Sequence, residues 1–319
     1  MSLALIIPVR DDQANLTRLL TQAKTLGIFA QIIVVDDGSE APVNVPDPVE
    51  LLRHSVSKGA GAARNSAIAH LRCDHVIFFD SDDMFTPEFP CLWAELEGRL
   101  FDFCIFRHHD SGLEASGYSG QLPSDTGLWQ LAGSLSAPLK TVTPEAHWIL
   151  AETSNYPWNK IYRTAFIHAH GLRCTETTVH NDIELHWRSF LAADTVLSSS
   201  RIAALHTTAP EGVRISNTKS RARLEMFVAL ESLRLAFEAA PEQSIGQLAF
   251  LRFCSNLFLW AESMVTADIL PELRSRAAKF IAASLAPATY EKLVKTDPKL
   301  ALQLALQMQA EPKAEAIAC

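Results

Sequence analysis

The chain has 319 residues, long enough for one large domain or two, and its 48% hydrophobic and 20% charged residues are typical of a globular protein. Its formal net charge of −8 argues against a general attraction to nucleic acid or to an anionic membrane. The six cysteines lack the spacing of metal ligands. The sequence shows neither a signal-peptide pattern nor the roughly 20 consecutive apolar residues of a membrane-spanning helix. We therefore expect a cytoplasmic protein, and peripheral contact with the inner membrane surface stays open.

The first quarter of the chain alternates between buried strands and helices. Apolar runs without polar alternation, which are typical of strands buried on both faces, predict strands at residues 3–9, 31–35, 51–54 and 75–79. Helical spacing predicts a first helix, ending at Gly27, with the apolar stripe Leu16, Leu19, Leu20 and Ala23. A second helix opens within the segment SKGAGAARN. This alternation requires right-handed crossovers between parallel strands, so we predict an α/β protein with a doubly wound, mainly parallel sheet.

The rest of the chain is less regular at first and then helical. Helix starts are expected at Thr86 and Thr143, and strands are expected at residues 101–106 and 196–205. Residues 110–137 are rich in glycine and serine without periodicity, which predicts a long loop of the kind that often forms a lid. From Ser220 onward the pattern is helical, and we expect these helices to pack on the preceding domain or on a second subunit in a homodimer.

Acidic clusters follow two of the predicted strands at the points where the strands end. Asp36 and Asp37 follow the second strand, and Asp80, Asp82 and Asp83 follow the fourth. Because ligands bind at the carboxyl ends of parallel strands, we expect both clusters at one edge of the sheet. Carboxylates this close repel one another unless a cation lies between them, and a divalent cation with oxygen ligands meets that need. The alternative is a helix cap or a solvated turn, which use the same residue types.

The segment KGAGAARN combines flexible glycines, a helix N-terminus and two cations, Lys58 and Arg64, which are the means of holding a phosphate. Arg64 occupies the position of the third glycine of GxGxxG, and the segment comes late in the chain, which disfavours a dinucleotide oxidoreductase. The sequence also lacks GxxxxGK[ST], so the segment is not a P-loop.

Four segments, IIPVRDD, IIVVDDGS, SKGAGAARNSAI and VIFFDSDD, together resemble the family 2 glycosyltransferases in order and approximate spacing. The resemblance is strong over residues 3–90 and continues more loosely to about residue 218 through PWNKIYR and HNDIELHW. It implies the GT-A fold over residues 1–218, with a nucleotide-binding part at about 1–110 and an acceptor part at about 111–218. Residues 219–319 would then form a separate α-helical region.

The resemblance implies roles for the residues that follow the first two strands. Asp37 is expected to contact the base of a nucleotide-sugar donor, with Asp36 assisting. Pro8 and Val9 are expected to line the base pocket. The start of the chain departs from the family pattern, because Arg10-Asp11 replaces the more usual Tyr-Asn.

The resemblance also implies a metal site, since Asp80 and Asp82 match the family's DxD motif. Asp80 is expected toward the ribose and Asp82 on a Mg²⁺ or Mn²⁺ ion that bridges the diphosphate. Asp83 would support the metal or orient the donor sugar, and Arg64 would add to the charge neutralisation. The metal would act as a Lewis acid on the leaving nucleoside diphosphate.

A catalytic base is implied at Asp182, which matches the second residue of the family's Glu-Asp pair. Asn181 departs from that pair, because it can donate a hydrogen bond but cannot share a negative charge. The alternative for Asp182 is a helix-capping or first-turn acid stabilised by the helix dipole.

The remaining candidates are weaker. Trp158 and Lys160 match a segment that borders the acceptor site, although a buried core tryptophan is an equal alternative. His206 lies where some relatives have a metal or phosphate contact, and Arg214 and Ser216 lie in a loop expected to close over the diphosphate.

The resemblance implies an inverting, metal-dependent transferase that moves a sugar from a nucleotide diphosphate to a hydroxyl of a glycan or lipid-linked cell-surface precursor. A non-catalytic nucleotide-sugar or glycan-binding module is the alternative, prompted by Asn181. A nucleotidyltransferase is disfavoured because IIPVRDD lacks a glycine-rich GxGTR-like loop.

Overall fold

A computed structural model of the chain describes residues 1–207 and 218–309. These residues belong to two compact units, Met1–Gly212 and Val213–Cys319. The strands, all in the first unit, are β1 (Leu3–Val9), β2 (Phe29–Asp36), β3 (Glu50–Arg53), β4 (His75–Phe78), β5 (Met84–Phe85), β6 (Phe103–Asp110), β7 (Lys140–Thr141), β8 (Lys160–Arg163) and β9 (Val196–His206). Its helices are α1 (Gln13–Leu26), α2 (Ala60–Ile68), α3 (Glu88–Glu95), α4 (Pro123–Leu131), α5 (Pro144–Ala151), α6 (Thr164–Ala169) and α7 (Ile183–Ala192).

The nine strands form one mixed sheet in the order β3-β2-β1-β4-β8-β6-β9-β5, with β7 paired to β9. Strands β3, β2, β1 and β4 are parallel neighbours, and β6 is parallel to β9. Strands β8, β5 and β7 are antiparallel to their neighbours, so the other six run in one direction. The predicted α/β class with a mainly parallel sheet is therefore confirmed.

The first half of the unit follows its local sequence closely. The carboxylate of Asp12 accepts a hydrogen bond from the Asn15 backbone N–H at the start of α1, and Gly27 ends this helix with a left-handed φ of 63°. All seven residues of β1 are buried, and the predicted α1 stripe of Leu16, Leu19, Leu20 and Ala23 is buried against the sheet. The apolar runs thus predicted both the elements and the faces that they bury.

The prediction for residues 110–137 is wrong in part. A 3-10 helix, Ser111–Ser116, and helix α4 lie where a loop was expected. Pro123 stands at the first turn of α4, where a missing N–H costs nothing, and Trp129 is only 1% exposed. Burial of one large aromatic side chain outweighs a composition that is otherwise typical of loops.

The second unit consists of helices over its described residues. They are α8 (Met226–Glu238), α9 (Ser244–Met264), α10 (Leu270–Ser284), α11 (Pro287–Thr296) and α12 (Pro298–Gln309), with 3-10 helices at Arg221–Glu225 and Pro241–Gln243. The rings of Phe227, Phe258 and Phe280 pack together in its core. The predicted C-terminal helical region is confirmed. In the described parts of both units, every helix is too short or too polar to cross a bilayer.

Helix α2 approaches the segment before α7 at close range because residue 61 is glycine. A Cβ at Gly61 would lie 2.3 Å from the carbonyl oxygen of Thr175 and 2.9 Å from the Cβ of Asn181. The first of these atoms belongs to the backbone, which has little freedom to move. Gly61 therefore determines how closely α2 packs on residues 175–181.

We predict that Gly61→Ala lowers the free energy of unfolding by about 1–3 kcal/mol, because the added methyl group forces the two segments apart. Gly127→Ala is the matched control, since Gly127 lies inside α4 with no atom within 4 Å of the added Cβ. That control should raise stability by about 0.5–1 kcal/mol through helix propensity. Urea denaturation of both variants measures the difference, and equal effects would contradict the close packing of α2.

Candidate active site at the carboxyl edge of the sheet

The acidic clusters meet where β2, β1 and β4 end side by side. Val9 at the end of β1 is paired with Asp36 at the end of β2, and the Asp37 N–H donates to the Val9 carbonyl oxygen at 2.8 Å. On the other side of β1, the Phe79 N–H donates to the Ile6 carbonyl oxygen at 2.9 Å. The structure thus brings the residues that follow β2 and those that follow β4 to one edge, as expected for parallel strands. Pro8 and Val9 are buried at the end of β1 between them.

Asp36 has a structural role. It is 0% exposed, and its carboxylate accepts hydrogen bonds from the backbone N–H groups of Ser39 and Val43 and from Arg53 at 2.6 Å. Burial acts to raise the pKa of Asp36, but the Ser39 hydrogen bonds and the remaining donors outweigh it and lower the pKa. The Asp36 carboxylate thus orders the loop that follows β2, and the assisting base contact expected of it stays a prediction.

Asp37 organises the loop that leads into α2. Its carboxylate, 4% exposed, accepts from Ser57 Oγ at 2.7 Å and from the backbone N–H groups of Lys58 and Gly59 at 2.9 and 2.8 Å, and His54 Nδ1 lies 2.7 Å away. Burial acts to raise the pKa of Asp37, but these hydrogen bonds lower it overall. The base contact expected of Asp37 stays a prediction. His54 ends the predicted third strand and Ser57 begins the segment SKGAGAARN, but neither was predicted as a site residue.

The carboxylates that follow β4 have different surroundings. Asp80 accepts from Arg64 at 2.5 Å, whereas the side chain of Asp82 is exposed at the edge of the sheet. Partial loss of hydration, together with the charges of Asp83 and Asp80, raises the pKa of Asp82 to about 6. The Asp82 backbone carbonyl accepts from Arg18 at 2.7 Å, a contact that the sequence did not indicate.

A buried carboxylate, Asp83, pairs with the partly exposed His206 at the same edge. Asp83 is 0% exposed, and its Oδ1 accepts from the Thr207 N–H at 2.9 Å and lies 2.8 Å from His206 Nδ1. Its Oδ2 is buried and has no hydrogen-bond partner among residues 1–207 and 218–309. Burial raises the pKa of the Asp83 carboxyl.

These acids fit a divalent cation. Asp83 has a buried carboxylate oxygen without a partner among the described residues, and the next acid, Asp82, is exposed and has a pKa raised by loss of hydration and by the neighbouring acids. A divalent cation bound here would stabilise both carboxylates. Across residues 1–207 and 218–309, no group of three or more His, Cys, Asp or Glu residues is arranged to hold a metal by itself.

Asp182 stands immediately before α7 and is partly exposed, yet its side chain makes no capping hydrogen bond. The capping alternative is therefore not supported by the geometry. Burial raises the pKa of Asp182, while the positive charge of Arg64 acts in the opposite direction. Arg64 is 4% exposed and donates to Asp80 and also to Asn181 Oδ1, at 2.8 Å. The structure thus brings together the acids that follow β4 and the turn that carries Asp182.

Trp158 and Lys160 are not available to an acceptor, and that prediction is wrong. Trp158 is 1% exposed, with its ring stacked on Tyr156 at 4.5 Å and on His206 at 5.2 Å. Lys160 is 0% exposed and donates to the Tyr156 carbonyl oxygen at 2.7 Å and to Asn159 Oδ1 at 2.8 Å. Lys160 begins β8, which lies between β4 and β6, so neighbouring strands enclose it. Arg214 and Ser216 lie outside the described residues.

Burial of Lys160 predicts a pH-dependent stability. Loss of hydration lowers its pKa to about 7, although Asp182 and Asp125 act to raise it. A lysine whose folded-state pKa lies below its unfolded-state pKa binds fewer protons when folded, so stability increases with pH between the two values.

We predict that the free energy of unfolding of the wild type, relative to Lys160→Met, increases by up to about 1 kcal/mol per pH unit between about pH 7 and pH 9. Lys140→Met is the matched control, because Lys140 also donates to two carbonyl oxygens but is partly exposed. Urea denaturation over this range measures the slope. If the free energy of unfolding of the wild type and of Lys160→Met changes with pH in parallel, the lowered pKa of Lys160 is contradicted.

Comparison with known proteins agrees with this architecture. Residues 4–129 match the model of the family described as glycosyl transferase family 2. The chain is 42% identical over 105 residues to the pre-mycofactocin glycosyltransferase of Mycobacterium tuberculosis, a match that covers 31% of this chain and 20% of that protein. The chain thus spans about a fifth of the length of this curated relative.

Solved structures of TarS residues 1–349 from Staphylococcus aureus resemble the whole chain. The complex with UDP-GlcNAc has a TM-score of 0.74 and 18% identity, and the match covers 97% of this chain and 89% of the TarS chain. The complex with UDP has a TM-score of 0.68 and 17% identity over the same shares. At identities this low, the similarity shows the fold alone. The TM-scores confirm the predicted GT-A fold.

Proposed function

We propose that the chain is a family 2 glycosyl transferase, because residues 4–129 match that family, and that it transfers a sugar from a nucleotide diphosphate to a hydroxyl of a glycan or lipid-linked precursor. The proposed reaction inverts the anomeric carbon and uses a divalent cation. The observation that carries this proposal is the pair of Arg64 hydrogen bonds, which bring Asp80 and the Asn181–Asp182 turn to one guanidinium group. Donor-side acids and a candidate base therefore meet although about a hundred residues separate them.

The donor is assigned to the edge formed by β2, β1 and β4. The Asp37 carboxylate orders the Ser57–Gly59 loop, whose glycine precedes the N-terminus of α2, a position suited to an anionic group. Pro8 and Val9 are assigned to the base pocket between this loop and Asp80. TarS, whose fold this chain shares, has been solved with UDP-GlcNAc and with UDP, which supports a nucleotide-sugar donor.

A Mg²⁺ or Mn²⁺ ion is assigned to Asp82, with Asp83 and His206 behind it. When bound, such an ion would neutralise the charge that develops on the leaving diphosphate. Arg18 holds the Asp82 backbone at the edge of the sheet through its hydrogen bond to the Asp82 carbonyl oxygen. The contact with His206 holds the second carboxylate, Asp83.

Asp182 is assigned the role of base. Its carboxylate is partly exposed, makes no capping hydrogen bond and has a raised pKa, and these properties suit a group that accepts a proton from an attacking hydroxyl. The neighbouring Asn181 shares the Arg64 guanidinium with Asp80, which supports a base close to the donor-side acids.

We predict that Asp182→Asn lowers kcat by about 10²- to 10⁴-fold without weakening donor binding, because the amide cannot accept the proton. Donor turnover assays with a panel of nucleotide sugars, together with calorimetry, measure both quantities. Asp194→Asn, an exposed acid after α7, is the control. Full activity of Asp182→Asn would exclude Asp182 as the base. If the wild type binds donor but never releases a nucleoside diphosphate, the alternative of a non-catalytic binding module is favoured.

We predict that Asp82→Asn weakens Mn²⁺-dependent binding of UDP by at least about tenfold, because a carboxylate ligand is replaced by a neutral amide. Calorimetric titration of UDP with and without Mn²⁺ measures this difference. The metal-independent affinity and the affinity of Asp194→Asn should stay at wild-type values. A Mn²⁺ effect that survives in Asp82→Asn would contradict the proposed ligand.

A further inference from the structure

The Arg64 side chain is a buried connection between two parts of the site. It is 4% exposed, with Nη2 donating to Asp80 Oδ1 at 2.5 Å and Nη1 donating to Asn181 Oδ1 at 2.8 Å. Its Nε is buried without a partner. A guanidinium that has lost its hydration depends on these two bonds, so movement of either partner disturbs the other.

The turn that carries Asn181 is held from more than one side. The Thr175 N–H donates to the Asn181 carbonyl oxygen at 2.9 Å, and Gly61 lets α2 approach the Asn181 side chain directly. His180, the preceding residue, has a left-handed φ of 59°, which a non-glycine residue adopts only where surrounding contacts enforce it. The position of Asp182 therefore depends on packing around Asn181.

Because residue 181 is asparagine, the contact with Arg64 brings no further negative charge next to Asp182. Asn181 accepts a hydrogen bond from Arg64 without adding a carboxylate, so the carboxylates that the guanidinium charge acts on are those of Asp80 and Asp182. An acid at this position would share that charge among three carboxylates and would add a negative charge beside Asp182.

Other ionisable groups also act on Asp182 and on Arg64. Lys160 from β8 places a second positive charge near Asp182, and Asp80 places a negative one. The Cys174 thiol, on the segment before α7, lies near both Arg64 and Asp182. These groups stay constant when only residue 181 is changed, so a change there isolates the Arg64–Asn181 contact.

We propose that Arg64 and Asn181 are a positioning pair that ties the base-bearing turn to the donor-side acid Asp80, and that a neutral residue at position 181 avoids placing a second negative charge beside Asp182. This inference rests on the proposed role of Asp182 as a base. Arg64 and Asn181 act through Asp182 and take no proton themselves.

Two variants of one residue separate charge from hydrogen bonding. Asn181→Asp keeps the acceptor for Arg64 and adds a charge, and it should raise the titration midpoint of the Asp182 carboxyl by about one pH unit. Asn181→Ala removes the acceptor without adding charge, and it should leave the midpoint in place while lowering kcat about tenfold at unchanged donor KM. The midpoint is read by ¹³C NMR of aspartate carboxyls, with the Asp182 signal assigned from Asp182→Asn, and it needs no turnover.

Asn44→Asp is the control, because it adds the same charge on an exposed loop. It should leave both the Asp182 midpoint and kcat unchanged. An unchanged midpoint in Asn181→Asp, or a wild-type kcat in Asn181→Ala, would overturn the positioning pair even if the enzyme transfers sugar. A wild type without any transfer would instead overturn the proposed function, and the NMR titration would still report on the pair.

Discussion

The two hydrogen bonds of the Arg64 guanidinium are the interaction on which the site depends. One joins α2 to Asp80 after β4, and the other joins α2 to the turn before α7. Burial acts to lower the pKa of Arg64, but Asp80 raises it overall, so the side chain remains a cation in the protein interior. The charge of this one residue therefore orients groups on both sides of the proposed reaction.

The acids at the carboxyl edge of the sheet divide into two kinds. Asp36 and Asp37 have both oxygens engaged by donors from their own and neighbouring loops, and their pKa values are lowered. Asp82 and Asp83 have raised pKa values, and one oxygen of Asp83 has no partner. The first kind builds the loops of the edge, whereas the second holds negative charge that a ligand or a cation can use.

Local sequence determined much of this edge. The apolar runs of β1, β2 and β4, the stripe of α1 and the glycine that ends it identify the elements without reference to distant residues. Because carboxyl ends of parallel strands meet, the acids that follow β2 and β4 were expected at one place, and the pairing of β1 with both strands puts them there. The order and spacing of the motifs predicted the fold that the comparison with TarS confirms.

Tertiary structure alone decided which side chains remain accessible. The segment PWNKIYR left an acceptor contact and a core position as alternatives for Trp158, and the fold decided between them: β8 lies between β4 and β6, and both Trp158 and Lys160 are buried. The contacts of Asp37 with His54 and of Arg64 with Asn181 join residues that no local pattern relates. Burial and hydrogen bonding depend on neighbours brought together by chain crossovers, whereas periodicity reports only on residues a few positions apart. For that reason the sequence by itself determined the elements and the edge, and only the fold decided which residues there can meet a ligand.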